Sequence, residues 1–167
     1  VAYVVLIVAA QIPPHFYLRI SPLVYVVGTL LLLLVLFFGV SVKGSQRWLE
    51  IPGLFRFQPS ELMKLAVPMA VAWYLQKRSL PPSLKYTAAC LVIMTLPALL
   101  IGRQPDLGTS ILVFVAGFSV LLLAGLPWRL VLWAGLTISA AAPLIWQFVL
   151  EGYQRQRVIT LFDPQSD

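Results

Sequence analysis

The stretch FQPSELMKLAVPMAVAWYL, Phe57 to Leu75, places Glu61 and Lys64 three residues apart at the entry of a run that is otherwise apolar. A hydrophobic helix that carries both charges needs a reason for them, and its apolar residues need cover. The rest of the chain cannot supply a polar shell. Of 167 residues, 60% are hydrophobic and 11% charged, with a mean hydropathy of +0.90, against about 25% charged in an ordinary soluble domain. The expected fold is therefore all-α, a polytopic integral membrane helix bundle.

Outward from that stretch, complete spans are expected at residues 22–42, 60–76, 84–101, 107–125 and 130–150, each at or near the roughly 20 residues a crossing needs. Proline and glycine inside them are tolerated as in other membrane helices. The connectors are IPPHFYLRISP, KGSQRWLEIPGLFRFQP, KRSLPPSLK, GRQPD and GLPW, and no solenoid repeat is visible, so residues 1–167 are expected to form one transmembrane unit. The opening VAYVVLIVAAQI is too short to span and has no basic residue before Arg19. It reads as the second half of a span rather than as a secretory signal, and FDPQSD at the other end reads as a polar loop cut short. Cys90, the only cysteine, lies in an apolar run, and His15, the only histidine, in a short proline-flanked loop. Neither supports a disulfide or a metal site.

Because spans alternate in direction, the connectors at 43–59, 102–106 and from 151 onward share one face of the membrane. All six acids (Glu50, Glu61, Asp106, Glu151, Asp163, Asp167) fall on that face and none on the other. The acid-free face holds Arg19, Lys77, Arg78, Lys85 and Arg129; the other holds the remaining seven Lys and Arg residues. Counting Lys and Arg therefore does not orient the chain. A face rich in both signs reads as a working surface, and it is placed outside.

Gln58-Pro59-Ser60-Glu61 and Gln104-Pro105-Asp106 both open a span on that face. Proline suits the first turn, and Ser60 or Asp106 can accept from its free N–H groups, so the plain reading is two well-capped helices. Glu61 and Lys64, at i,i+3, are side by side, with Lys64 a turn inside the apolar run. One reading is a mutually neutralising pair with a snorkelling lysine; the sharper one is a pair lining a polar cavity, where intramembrane charges usually face. Trp48 is either an interfacial anchor or a neighbour of Arg47, whose planar fork suits a phosphate. Arg155 and Arg157 in YQRQR offer the same option or are simply solvated. The residues thus reach a mixed-charge cavity for an anionic amphiphile but no reaction: no nucleotide-binding loop, zinc motif or nucleophile elbow is present. No cofactor or nucleic-acid partner is expected; a divalent cation is compatible with the pattern.

KGSQRWLEIPGLFRFQPSELMKLAVP (Lys43 to Pro68) followed by RQPDLGTSILVF (Arg103 to Phe114) resembles the SEDS family, polytopic peptidoglycan polymerases of the RodA and FtsW type, and the resemblance runs from AQIPP to YQRQRVITLFDPQSD. That ending is more similar to the RodA elongation branch. The resemblance implies a ten-span fold, of which this chain would supply roughly the second to seventh spans. It also implies glycosyl transfer joining lipid II units on the outer side of the bacterial cytoplasmic membrane, and a class B penicillin-binding protein as partner. By motif, Arg47 and Trp48 fall in the family's outer loop, Glu61 and Lys64 at its paired cavity positions, and Asp106 at the matching acid of a later helix. The family's essential loop acid would lie beyond Asp167, so the catalytic residue is not assigned among these residues and the 167-residue chain alone is expected to be inactive. In such a reaction a carboxylate would serve as general base and Arg47 or Lys64 would stabilise the departing pyrophosphate. A lipid-linked precursor flippase would also want such a cavity, although carriers are commonly built from internal repeats; a non-catalytic membrane scaffold for the penicillin-binding protein is the third reading.

Overall fold

The computed structural model of the chain describes residues 3, 7, 10–42, 45–51 and 55–148. The elements run α1 (Pro14–Phe38), β1 (Val40–Val42), β2 (Ser45–Ile51), β3 (Phe55–Phe57), α2 (Pro59–Leu75), α3 (Leu84–Arg103), α4 (Leu107–Leu123) and α5 (Trp128–Phe148). Tyr3, Ile7 and Ala10 are also helical; most of the expected partial first span lies outside the described residues. Two compact units are present, Val1–Gly125 with α1 to α4 and the sheet, and Leu126–Asp167 with α5.

The fold is mostly helical, with two departures from the expected pattern. The first helix begins at Pro14 rather than near residue 22, so His15 lies in its first turn and not in a loop. Pro14 occupies the position where a missing N–H is harmless. Pro22, read as a boundary, is inside the helix, a position where surrounding packing and nearby hydroxyls let membrane helices accept proline. The neighbouring Ser21 hydroxyl is buried and donates to the Tyr17 carbonyl at 2.6 Å.

The second departure is that the connector after α1 is not irregular and the chain is not purely α. It forms a three-stranded antiparallel sheet in the order β1-β2-β3, with Ser41 opposite Gln46 and Leu49 opposite Phe57, and a register shift between Val40 and Ser41. Val, Trp, Ile and Phe favour a pleated, half-buried surface, and Val40–Val42 takes residues that had been assigned to the end of the first span.

Helices α1 and α3 are long and apolar enough to cross a membrane, and only 28% and 33% of their most apolar windows is buried. A core helix of a soluble protein would be mostly covered. At 1.5 Å per residue α1 is about 37 Å long, more than the ~30 Å hydrocarbon layer. Leu30, Phe37, Val92, Leu99, Ile111 and Leu112 stand exposed along α1, α3 and α4, an apolar surface that hydrocarbon accepts and water penalises.

Helix α2 packs on α1, α3 and α4. Met63, Ala66, Val67 and Val71 are fully buried, and small residues opposite them let the helices approach closely, as is common between membrane helices. Gly28 of α1 meets the Met63 thioether, while a Cβ on Gly117 of α4 would lie 2.6 Å from Met94 Cγ and 2.9 Å from Val67 Cγ1. The Met63 sulfur sits in a flexible, unbranched side chain, whereas Val67 is stiff at its branched Cβ. Gly117→Ala is therefore expected to destabilise the bundle by about 1–3 kcal/mol and Gly28→Ala by less, measured by thermal unfolding in detergent; equal losses would remove the stiffness argument.

Candidate functional site

The alternation of helices brings the N-termini of α2 and α4 to the same end of the bundle, where one polar cluster joins them. Asp106 is the N-cap of α4, and its Oδ1 accepts from the Thr109 N–H at 3.3 Å. Its Oδ2 accepts from the Gln58 side-chain amide at 3.3 Å and lies 3.4 Å from the Arg47 guanidinium. The same Gln58 nitrogen donates to the Ser60 hydroxyl at 2.8 Å, and Arg47 donates to the Pro105 carbonyl at 3.2 Å. A strand of the sheet and two helix starts are thus locked through one carboxylate, which is 7% exposed. Such a site stands or falls as a unit, since a buried polar group left without its partner is expensive.

Ser60 does not cap α2 as expected. Pro59 takes the first helical position, so the N-cap falls on Gln58 and Ser60 is already inside the helix, 1% exposed. Arg47 lies on β2 facing Asp106, and Trp48, the next residue, takes the opposite face by the period of the strand; it is half-buried. Arg47 is largely occupied by protein groups, with its side chain 22% exposed.

Glu61 and Lys64 form a second pair, Oε2 to Nζ at 2.7 Å, with side chains 53% and 35% exposed. The Glu61 N–H donates to the Gln58 carbonyl at 3.1 Å, so the pair adjoins the Asp106 cluster through the backbone of the first turn of α2. The two side chains lie on the side of α2 away from its buried stripe, with Lys64 about 8 Å from the start of the helix. Lys64 is half-buried and Arg47 is tied to Asp106, whereas Arg56 and Arg103 at this end are exposed. Arg155 and Arg157 lie outside the described residues, and no group of three or more metal-type side chains occurs among the described ones.

Sequence reasoning passed over Gln58 and Gln104 as site-builders. Gln104, 2% exposed, donates to the Leu32 carbonyl of α1 at 2.9 Å. Their signal was the repeated Gln-Pro before each helix. Only Pro59 starts a helix, with Gln58 at its N-cap; Pro105 stands outside the first turn of α4, before the Asp106 N-cap, and Gln104 closes α3 as its C-cap, from which its amide reaches α1.

The family model described as a cell cycle protein, FtsW/RodA/SpoVE, matches residues 1–167. The chain is 49% identical over 164 residues to the peptidoglycan glycosyltransferase MrdB of Escherichia coli strain K12, covering 98% of this chain and 44% of that one. It is 35% identical over 173 residues to a probable peptidoglycan glycosyltransferase FtsW of Escherichia coli O6:H1, covering 99% and 40%. Among solved structures, it is similar to a chain from a study of polymerisation and crosslinking by a peptidoglycan synthase complex, with a TM-score of 0.79, 30% identity and coverage of 94% and 46%. It is also similar to the rod shape determining protein RodA of Thermus thermophilus, with a TM-score of 0.61, 32% identity and coverage of 76% and 41%. The chain thus spans less than half the length of these relatives. With its full length matched and its fold shared at these identities, the chain belongs to the FtsW/RodA/SpoVE family.

Proposed function

We propose that this chain is the N-terminal-side portion of a peptidoglycan glycosyltransferase of the elongation type, which joins lipid II units into glycan strands. The observation that carries the reading is the 49% identity to a peptidoglycan glycosyltransferase MrdB across nearly the whole chain, against 35% to an FtsW relative. In the whole protein the chain supplies roughly the second to seventh of ten spans as one transmembrane unit in the bacterial cytoplasmic membrane. The Asp106 end faces outward, and a class B penicillin-binding protein is the partner.

The geometry supports an anion-receiving role for that end. Two helix N-termini point their positive dipole ends there, and Lys64 lies a turn inside α2, half-buried, with Glu61 holding its ammonium in place. Lys64 would neutralise charge developing on the departing pyrophosphate. Arg47, Gln58, Ser60 and Asp106 position the loop sheet over the helix starts, and Trp48 stays with that sheet. General-base help to the acceptor hydroxyl is assigned to a carboxylate past Asp167.

The test is polymerisation of purified lipid II by the full-length protein, with and without its penicillin-binding partner, beside the 167-residue chain. Long glycan from the full-length protein and none from the shorter chain is expected. No glycan with the partner present would overturn the polymerase reading in favour of lipid transport or scaffolding.

A further inference from the structure

At the opposite end of α2 from Glu61 and Lys64, a cleft of about 170 Å3 is lined by Trp73, Tyr74, Gln76, Lys77 and Arg78. The Arg78 guanidinium lies over two rings, 4.7 Å from the centroid of Tyr86 at the start of α3 and 5.4 Å from that of Tyr74. The rings themselves meet edge to face at 6.4 Å. Cation–π attraction from two ring faces restrains the guanidinium, while its N–H groups stay available to an oxyanion. Among the described residues the Arg78 side chain makes no hydrogen bond or ion pair; the residue is exposed, as are Lys77 and Lys85.

Among the described residues the charge here has no nearby counterweight. Between Glu61 and Asp106 the sequence has no acid, and α1 and α4 have none either. Glu61 is about 24 Å away along α2. The first turn of α3 carries no acid, so its positive dipole end adds to the field. Immediately beside these cations Leu80 and Leu84 are 59% and 72% exposed and Trp73 is 38% exposed. Cations above, an aromatic at the boundary and bare leucines alongside are what a phospholipid meets at the edge of a bilayer: headgroup phosphate outside, acyl chain along the leucines. A free phosphate would have no use for the apolar part.

We propose that this cleft is a binding site for an anionic phospholipid, with Arg78 as the preorganised phosphate ligand and Lys77 and Lys85 supplying the selectivity for net negative charge. The site is separate from the proposed reaction and does not depend on it. The test uses the full-length protein reconstituted in phosphatidylcholine vesicles doped with phosphatidylglycerol, then extracted, with its retained phospholipids identified by mass. Phosphatidylglycerol is expected to be enriched over its bulk share. That enrichment should fall roughly fivefold for each of Lys77→Gln and Lys85→Gln, and should also fall in Arg78→Lys, which keeps the charge but loses the planar fork. Arg103→Gln, at the other end of α3, should leave it unchanged. Lys77 and Lys85 are exposed, so their variants remain informative should the Arg78 variant fold poorly. Retention of phosphatidylglycerol no better than phosphatidylcholine, or enrichment unchanged in the double lysine variant, would overturn the proposal. Displacement of the lipid by inorganic phosphate alone would identify a soluble anion as the ligand and overturn it equally.

Discussion

Alanine at Lys64 in the full-length protein is expected to lower lipid II polymerisation by about 10²–10³-fold, the usual consequence of removing one electrostatic stabiliser of a developing charge. Insertion and thermal stability should stay close to wild type. The reason is the exposure of the pair: Lys64 and Glu61 lie 2.7 Å apart with side chains 35% and 53% exposed, and a pair so open contributes only about 0–1 kcal/mol to folding. Neither side chain supports the packed core, which lies on the other side of α2 at Met63, Val67 and Val71. Glu61→Ala should lower the activity as well, because the carboxylate fixes the direction of the ammonium. Activity and melting temperature measured on the same preparations separate the alternatives. Full polymerisation by both alanine variants would remove the pair from the reaction, and activity lost in proportion to folded protein would make its role structural.

Asp106→Ala should act in the opposite way, through the fold first. The substitution removes the cap of α4, strips the Gln58 amide of one acceptor and removes the Asp106 carboxylate from beside the Arg47 guanidinium. A lost cap is worth about 1 kcal/mol. Breaking a fully buried ion pair costs about 3–5 kcal/mol, and less here because Arg47 keeps some exposure. A total on the order of 3 kcal/mol is expected, read by denaturant or thermal unfolding in detergent. Asp106→Asn keeps one oxygen for the cap but replaces the acceptor shared by Gln58 and Arg47 with an NH2 donor, so it should recover only the cap's share of the loss, about 1 kcal/mol. A double-mutant cycle with Arg47→Ala should give a coupling of about 1–3 kcal/mol. Coupling near zero would show the 3.4 Å contact to be incidental to stability.

The difference between these two sites explains what could be read from the residues. Glu61 and Lys64 were legible because i,i+3 spacing on a helix is a local fact: once Phe57–Leu75 is helical, their proximity follows, and the structure has them paired. Asp106 was legible as a cap for the same reason. Its union with Arg47, 59 positions earlier in the chain, was not, since no periodicity in either segment refers to the other. The cap assigned to Ser60 moved to Gln58 because the helix starts at Pro59. The sheet was hidden by composition. In a chain this apolar the short alternations VSV and FRF carry little weight beside helical runs.

By itself the sequence determined that this protein is a bundle of apolar helices, where most of them lie, which ends carry the charges, and the family to which its ordered motifs belong. Those properties are sums over local composition and spacing, and hydrocarbon leaves the backbone few alternatives to helix. Only the tertiary structure decided that α2 is the central helix, that the connector after α1 folds into a sheet, that Arg47 is held by Asp106 while Lys64 pairs with Glu61, and that Arg78 lies over the rings of Tyr74 and Tyr86. Each of these depends on which faces meet across long stretches of chain. Close packing of small residues such as Gly28 and Gly117, and the need of buried polar groups for a partner, select one such arrangement among many that share the same local pattern.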